Sequence, residues 1–274
     1  EYNLDHVNAG KTLFDLYKLT GKEKYRRAMD TVYSQLKEQP RTSTGNFWHK
    51  KIYPHQIWLD GLYMAQPFYM QYEAEYNGCK NCEDSYQQFL QVYGRMRDPL
   101  NGLYYHAYDD SRQMFWCDKV TGLSENFWLR AMGWYAMALI DTMEVMPESM
   151  ACQKARLNAI YKELIDAMLP YQDQATGMWY QVVNRGGIAP NYLEESGSAI
   201  FAYAIMKSVR LHYLPEEYFK YGQKAFDGIC STYLSEKDGS LQLGGICLVA
   251  GLGNTDMREG TFEYYMREPV VENE

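Results

Sequence analysis

Apolar residues recur at spacings of three and four over 6–19, 22–38, 58–77, 82–97, 125–145, 152–170, 194–211 and 215–234, with a last short stretch near 257–267. This period predicts helices throughout and almost no strands. Alternate members differ in character. The first, third, fifth and seventh are apolar nearly all round (Leu62, Met64 and Phe68; Trp134, Met137, Leu139 and Ile140; Ile200, Phe201, Ala204 and Ile205), as buried inner helices are. The others carry a charged face, as in Lys22-Glu23-Lys24-Tyr25-Arg26-Arg27, which suits an outer layer. Connections from inner to outer helix are short (Thr20-Gly21, Asn77-Gly78-Cys79-Lys80, Met146-Pro147-Glu148-Ser149), whereas those from outer to inner helix are long. The expectation is an all-α toroid of α/α hairpins whose inner-helix N-termini converge on a cleft at the elaborate rim. A closed ring of this kind needs six hairpins. The predicted helices fall about three short, so N-terminal helices are expected to be missing from the chain as given; a five-unit solenoid is the alternative.

The long connections share a motif in which glycine precedes bulky residues: Thr44-Gly45-Asn46-Phe47-Trp48-His49, Asn101-Gly102-Leu103-Tyr104-Tyr105-His106, Thr176-Gly177-Met178-Trp179-Tyr180 and Asp238-Gly239-Ser240-Leu241-Gln242. Recurrence at this period marks one helical hairpin copied around a ring and places the aromatic loops on one face. No linker-like run interrupts residues 1–274, which read as one catalytic domain. With 26 Tyr and 6 Trp, the loops offer surfaces for a flat ligand such as a carbohydrate, although a ring on a helix is more often core.

A net charge of −8, from 27 basic and 35 acidic residues, argues against nucleic acid. A small acidic substrate fits if a local cationic pocket receives it, and His49-Lys50-Lys51 is the densest candidate. Of six cysteines only Cys79 and Cys82 have suggestive spacing; a lone C-x-x-C lacks four zinc ligands, and a short disulfide across the helix-helix turn is the rival reading. No metal, cofactor or membrane contact is expected. The chain starts at Glu1 without methionine and has no apolar run of spanning length, so a cytoplasmic or a periplasmic, bacterial-type location fits.

Asp60 is the first candidate for chemistry. It stands in the first turn of an inner helix between Trp58 and Tyr63 and ahead of Gly61; burial favours its acid form and the helix N-terminus its carboxylate, a balance suited to moving protons. An ordinary capping aspartate is the plain alternative. Asp5 holds the matching place in the first inner helix, and together the two could form the paired carboxylates of acid/base chemistry on a sugar. His106 could donate to a substrate oxygen with Asp109 orienting it. Arg130, between Trp128 and Trp134, implies an anionic ligand or a buried carboxylate, with Glu125 or Asp109 as structural partners. Glu194 to Ser198 reads as a helix start that is mainly structural. Nucleophile-elbow, phosphate-loop and dinucleotide signatures do not occur.

Taken together, Trp48-His49-Lys50, His55-Gln56-Ile57-Trp58-Leu59-Asp60-Gly61-Leu62-Tyr63-Met64, Tyr105-His106-Ala107-Tyr108-Asp109, Phe127-Trp128-Leu129-Arg130-Ala131-Met132-Gly133-Trp134, Glu195-Ser196-Gly197-Ser198-Ala199 and Gly260-Thr261-Phe262-Glu263-Tyr264-Tyr265 resemble glycoside hydrolase family 105. Its members are unsaturated rhamnogalacturonyl hydrolases and related unsaturated glucuronyl hydrolases. The resemblance runs along nearly the whole chain and implies an (α/α)6 barrel. It also implies a small unsaturated oligosaccharide substrate, a lyase product of pectin or rhamnogalacturonan. The C4=C5 bond of its Δ4,5-unsaturated uronic acid would be hydrated, with Asp60 as proton shuttle and Asp5 assisting. His49, Lys50, His106, Trp128, Arg130 and Trp134 would line the uronate subsite. Two other functions compete: an inverting glycosidase using Asp5 and Asp60, and a non-catalytic carbohydrate-binding solenoid.

Overall fold

The structure is a computed structural model that describes residues 2–254 and 257–272. Among them, helices alternate between two layers. The inner layer holds α1 (Asp5–Asn8) with α2 (Lys11–Thr20), then α4 (Leu59–Tyr76), α6 (Leu129–Val145) and α8 (Glu195–Arg210). The outer layer holds α3 (Glu23–Glu38), α5 (Cys82–Met96), α7 (Ala151–Met168) and α9 (Phe219–Tyr233). Each inner helix packs on its outer partner and on the next inner helix, α4 on α6 and α6 on α8 above all, giving an arc of an (α/α)6 barrel. The main core lies between the layers, where α6 buries Ala131, Met132, Tyr135, Ala136, Leu139 and Ile140.

Several predicted boundaries moved, and the last helix, expected near 257–267, covers only Phe262–Arg267. The helix expected over 6–19 breaks at Ala9-Gly10, where the Phe68 ring lies 2.9 Å from the position a Gly10 Cβ would occupy. Residues 125–128, expected to be helical, precede the helix: Glu125 and Asn126 form a bend and Trp128 bridges to Val182. Short strands that the apolar period does not reveal also occur among the described residues: β1 (Gln56–Trp58) with β2 (Ala107–Asp109), β3 (Leu234–Lys237) with β4 (Ser240–Leu243), and β5 (Ile246–Cys247) with β6 (Val270–Val271).

One joint recurs around the arc. The backbone N–H at the start of each inner helix donates to a carbonyl in the connection leading to the next: Leu4 to His49 (3.1 Å), Leu59 to His106 (3.1 Å), Leu129 to Gln181 (3.0 Å) and Glu195 to Gly245 (3.0 Å). These bonds satisfy a donor that a helix start leaves open, and they fix equivalent positions in the repeat. Asp5, Asp60, Arg130 and Ser196 each follow the donating residue. His49, His106, Gln181 and Gly245 each supply the receiving carbonyl.

The glycine-aromatic motif proves to be a turn that feeds the core. Asp98 accepts from the Gly102 N–H at 2.9 Å, and Asp173 accepts from Gly177 at 2.8 Å; both glycines have φ of 77°, a left-handed conformation that disfavours a side chain. Phe47, Tyr104 and Trp179, from loops whose aromatics offered surfaces for a flat ligand, are buried in the core. The fourth copy does not belong with the others: Asp238-Gly239 is the tip of the exposed β3–β4 hairpin. A copy built on Asp118 and Gly122 takes its place among the turns. Cys79 and Cys82 form a disulfide across the α4–α5 turn.

Candidate active site

The β1–β2 ladder builds the centre of the site. It pairs Gln56 with Asp109, Ile57 with Tyr108 and Trp58 with Ala107, so the start of α4 and the residue just before β2 are brought face to face. Asp60 Oδ2 therefore lies 3.4 Å from His106 Nε2, close enough for charge attraction but misaligned for a hydrogen bond. The same repeat position gives the same pair one unit earlier: Asp5 Oδ1 lies 3.4 Å from His49 Nε2, and Asp5 Oδ2 lies 2.6 Å from Lys50 Nζ. The two pairs differ in depth, since the Asp60 side chain is 14% exposed and that of Asp5 40%.

Aromatic rings set these groups. His49 stacks on Trp58 with centroids 4.6 Å apart, and Tyr53 stacks on the same tryptophan at 5.1 Å. His106 lies edge-on to Trp58 at 5.5 Å and against Trp128 at 4.7 Å. The Trp58 indole donates to Gln56 and the Trp128 indole to Gln181, both at 3.0 Å. Gly61 has a visible purpose, because a Cβ there would stand 3.0 Å from His49 Nδ1.

Tyr265 completes the wall. It comes from α10 (Phe262–Arg267), whose start is capped by Thr261 Oγ1 accepting from the Tyr264 N–H. Its hydroxyl lies 2.8 Å from His106 Nδ1, and its ring stacks with Trp128 at 6.0 Å. Burial raises the Tyr265 phenol far above its ordinary value, so it keeps its proton and can donate to Nδ1, which leaves the ring proton on Nε2, the nitrogen 3.4 Å from Asp60. Asp109, the orienting group suggested by sequence, is occupied elsewhere: its carboxylate accepts from Ser111, Gln113 and Met114 and shapes the loop after β2.

The electrostatics separate the two histidines. Burial pushes His49 down to about 4 against the pull of Asp5 and Asp60, so its ring is neutral near pH 7. Burial raises Asp60, but His106 and then His49 outweigh it and hold the carboxyl below its usual value. Asp60 Oδ2, His106 Nε2 and His49 Nδ1 are all buried without a hydrogen-bond partner among the described residues. Unpaired buried polar atoms cost about 1–3 kcal/mol each, and two of these, Asp60 Oδ2 and His106 Nε2, stand 3.4 Å apart, which suits a place built for another molecule.

Arg130 and Trp134 occupy different surroundings. The Arg130 guanidinium meets Glu194 at 3.3 Å, donates to Ser196 Oγ at 2.6 Å and to the carbonyls of Cys247 and Leu248. Glu194, fully buried, also caps α8 by accepting from the Ser196 and Gly197 N–H groups. Of the two alternatives read from sequence, an anionic ligand or a buried carboxylate, the structure shows a buried carboxylate, and it is Glu194, not Glu125 or Asp109. Trp134 lies a turn along α6 and stacks on Tyr63 at 5.0 Å. Tyr53, Gln181 and Tyr265 were not singled out individually from sequence; the equivalence of Gln181 with His106 rests on the backbone joint.

Residues 1–274 match the family model described as Glycosyl Hydrolase Family 88. The chain belongs to this family. Protein Atu3128 of Agrobacterium fabrum is 38% identical over 218 residues, 77% of this chain and 92% of the relative. The unsaturated rhamnogalacturonyl hydrolase YesR of Bacillus subtilis is 29% identical over 246 residues, 86% of this chain and 65% of YesR. Among solved structures, a Clostridium acetobutylicum glycoside hydrolase from family 105 superposes with a TM-score of 0.96 at 48% identity, covering 100% of this chain and 76% of that one. The family 105 resemblance and the (α/α)6 architecture expected from sequence both hold. No helix among the described residues is long and apolar enough to cross a membrane.

Proposed function

We propose that the protein hydrates the C4=C5 double bond of a nonreducing Δ4,5-unsaturated uronic acid in lyase-generated pectic or rhamnogalacturonan oligosaccharides, releasing the next sugar. The observation that carries this reading is the Asp60 Oδ2–His106 Nε2 pair, 3.4 Å apart and buried without a hydrogen-bond partner at the start of α4, beside the stacked rings of His49 and Trp58. Membership of family 88 and the similarity to a relative named as an unsaturated rhamnogalacturonyl hydrolase support it.

In this mechanism Asp60 delivers a proton to C4 while the ring oxygen stabilises positive charge at C5. The resulting Asp60 carboxylate takes a proton from the water that adds at C5, and the hemiketal opens to expel the glycosidic oxygen. One carboxyl group serves both steps, and no covalent sugar–enzyme bond forms. Asp60 is a carboxylate in the free protein, so it must acquire a proton on binding. An anionic uronate beside it and the exclusion of water both raise its proton affinity. His106, held by Tyr265, directs Asp60; Asp5 with Lys50 and His49 forms the neighbouring polar wall; Trp128 shapes the uronate subsite through His106. The test follows the ultraviolet absorbance of the unsaturated uronide with wild type and with Asp60→Asn. The proposal expects decay with wild type and loss of about 10²–10⁴-fold in the variant; equal rates would overturn it.

A further inference from the structure

An enzyme for an acidic sugar needs a cation that its own carboxylates have not already claimed, and the inner face offers few. Lys50 is paired with Asp5 at 2.6 Å, and Arg130 is bound to Glu194 at 3.3 Å. Lys207 of α8 is paired with Asp141 at 2.8 Å and Glu144 at 2.6 Å. His49 is neutral. Lys11, at the start of α2, differs from all of these. Its ammonium donates to the Tyr63 carbonyl at 3.2 Å and lies 3.2 Å from the Tyr63 ring centroid, with no carboxylate at ion-pair distance among the described residues. Burial lowers it to about 7, with Asp141 pulling the other way and Lys207 reinforcing the fall; an arriving anion would restore the charge.

Position supplies the second argument. Tyr63 follows Asp60 by three residues on α4, so it stands on the same face about 4.5 Å further along the axis. Its ring stacks with Trp134 of α6 at an interplanar angle of 23°, and Lys11, Tyr63 and Trp134 are each only partly buried. The Lys11 ammonium over the Tyr63 ring and the Trp134 indole stacked on it form a row, one turn from the proton-transfer residue, that sets a cation and aromatic edges together for a sugar bearing an anion.

We propose that Lys11, Tyr63 and Trp134 form the subsite for the sugar adjoining the unsaturated uronate, and that Lys11 selects an anionic substituent on that sugar. This rests on the hydration reading above and names the aglycone class that reading leaves open. Trp134 accordingly serves the second sugar instead of the uronate.

The experiment compares kcat/KM of wild type, Lys11→Met and Lys11→Arg on unsaturated disaccharides whose second sugar is neutral, carboxylated or sulfated. In Lys11→Met the anionic-to-neutral ratio should fall by about tenfold or more, with Lys11→Arg keeping most of it. Carboxylated and sulfated arms show which anion is preferred. Parallel loss on all substrates, or no loss on any, overturns the proposal and leaves Lys11 a structural group. Binding of galacturonate and of galactose, read by tryptophan fluorescence, separates the two claims. Wild type that turns over no unsaturated uronide but prefers galacturonate, with the preference lost in Lys11→Met, sinks hydration alone. Wild type with no preference for the anion sinks the subsite.

Discussion

At the scale of single residues, the site is a set of groups each held slightly out of its comfortable state. His49 shows this best. Its unfolded-state value is about 6.5 and its folded value about 4, so protonation favours the unfolded chain once the pH falls below 6.5. The folded state loses stability progressively between those two values, by roughly 3 kcal/mol in total. Denaturant titration across this range should therefore show a stability limb that His49→Gln flattens. Asp60 has the same sign in a lower window: its depressed carboxyl contributes stability above the ordinary carboxylate value and loses it as the pH falls further. Activity reads the same group differently. Under the proposed hydration the free carboxyl must be protonated to act, so kcat/KM should decline as pH rises from the acid side. The complex raises its proton affinity, so kcat should hold to higher pH. Coincident profiles for the two would contradict proton uptake on binding. Arg130 carries a separate expectation: Arg130→Met strands the buried Glu194 and should cost about 3 kcal/mol or more in urea unfolding. Glu195, next in sequence, is raised to about 7 by burial and by Glu194, so the same variant should also move its titration.

At the scale of elements, the recurring joint explains why the chemistry falls where it does. Each inner helix begins by hydrogen bonding to the connection that precedes the next one, and in the first two units the side chain after the donor faces the residue that supplies the carbonyl. Asp5 faces His49 and Asp60 faces His106 by this rule. The matched places of Asp5 and Asp60 were readable from helix period and loop length. Their histidine partners were not, because the joint is made by backbone atoms and leaves no mark on side-chain pattern. Arg130 was readable as needing an acid, whereas the identity of that acid required knowing that α8 starts against α6. Tight contacts between elements give one more test. A Cβ on Gly228 of α9 would lie 1.8 Å from the Thr176 carbonyl oxygen in the turn before α8, so Gly228→Ala should cost about 1–3 kcal/mol in stability while leaving the proton-transfer residues intact.

At the scale of the whole molecule, two layers of helices and one ornate rim were legible because inner and outer helices differ in polarity and because connection lengths alternate. The role of the loop aromatics was not. A tyrosine or tryptophan beside a glycine serves a ligand or a core equally well in sequence, and only the turn geometry sends Phe47, Tyr104 and Trp179 inward. The wall of the site is contributed by segments as far apart as His49 and Tyr265, so its assembly depends on the arc holding its curvature. The acidic surface then fits the proposed substrate class: a net charge of −8 disfavours a polyanionic polymer, while a local cation such as Lys11 can still take a short anionic fragment.

The most direct test of hydration is to run the reaction in heavy water and, separately, in oxygen-18 water on an unsaturated rhamnogalacturonan disaccharide, locating the labels by NMR and mass spectrometry. Hydration predicts deuterium at C4 and heavy oxygen at C5 of the released uronate product, with the label absent from the anomeric carbon. Heavy oxygen at the anomeric carbon with C4 unlabelled would show direct hydrolysis of the glycosidic bond and contradict the proposed role of Asp60.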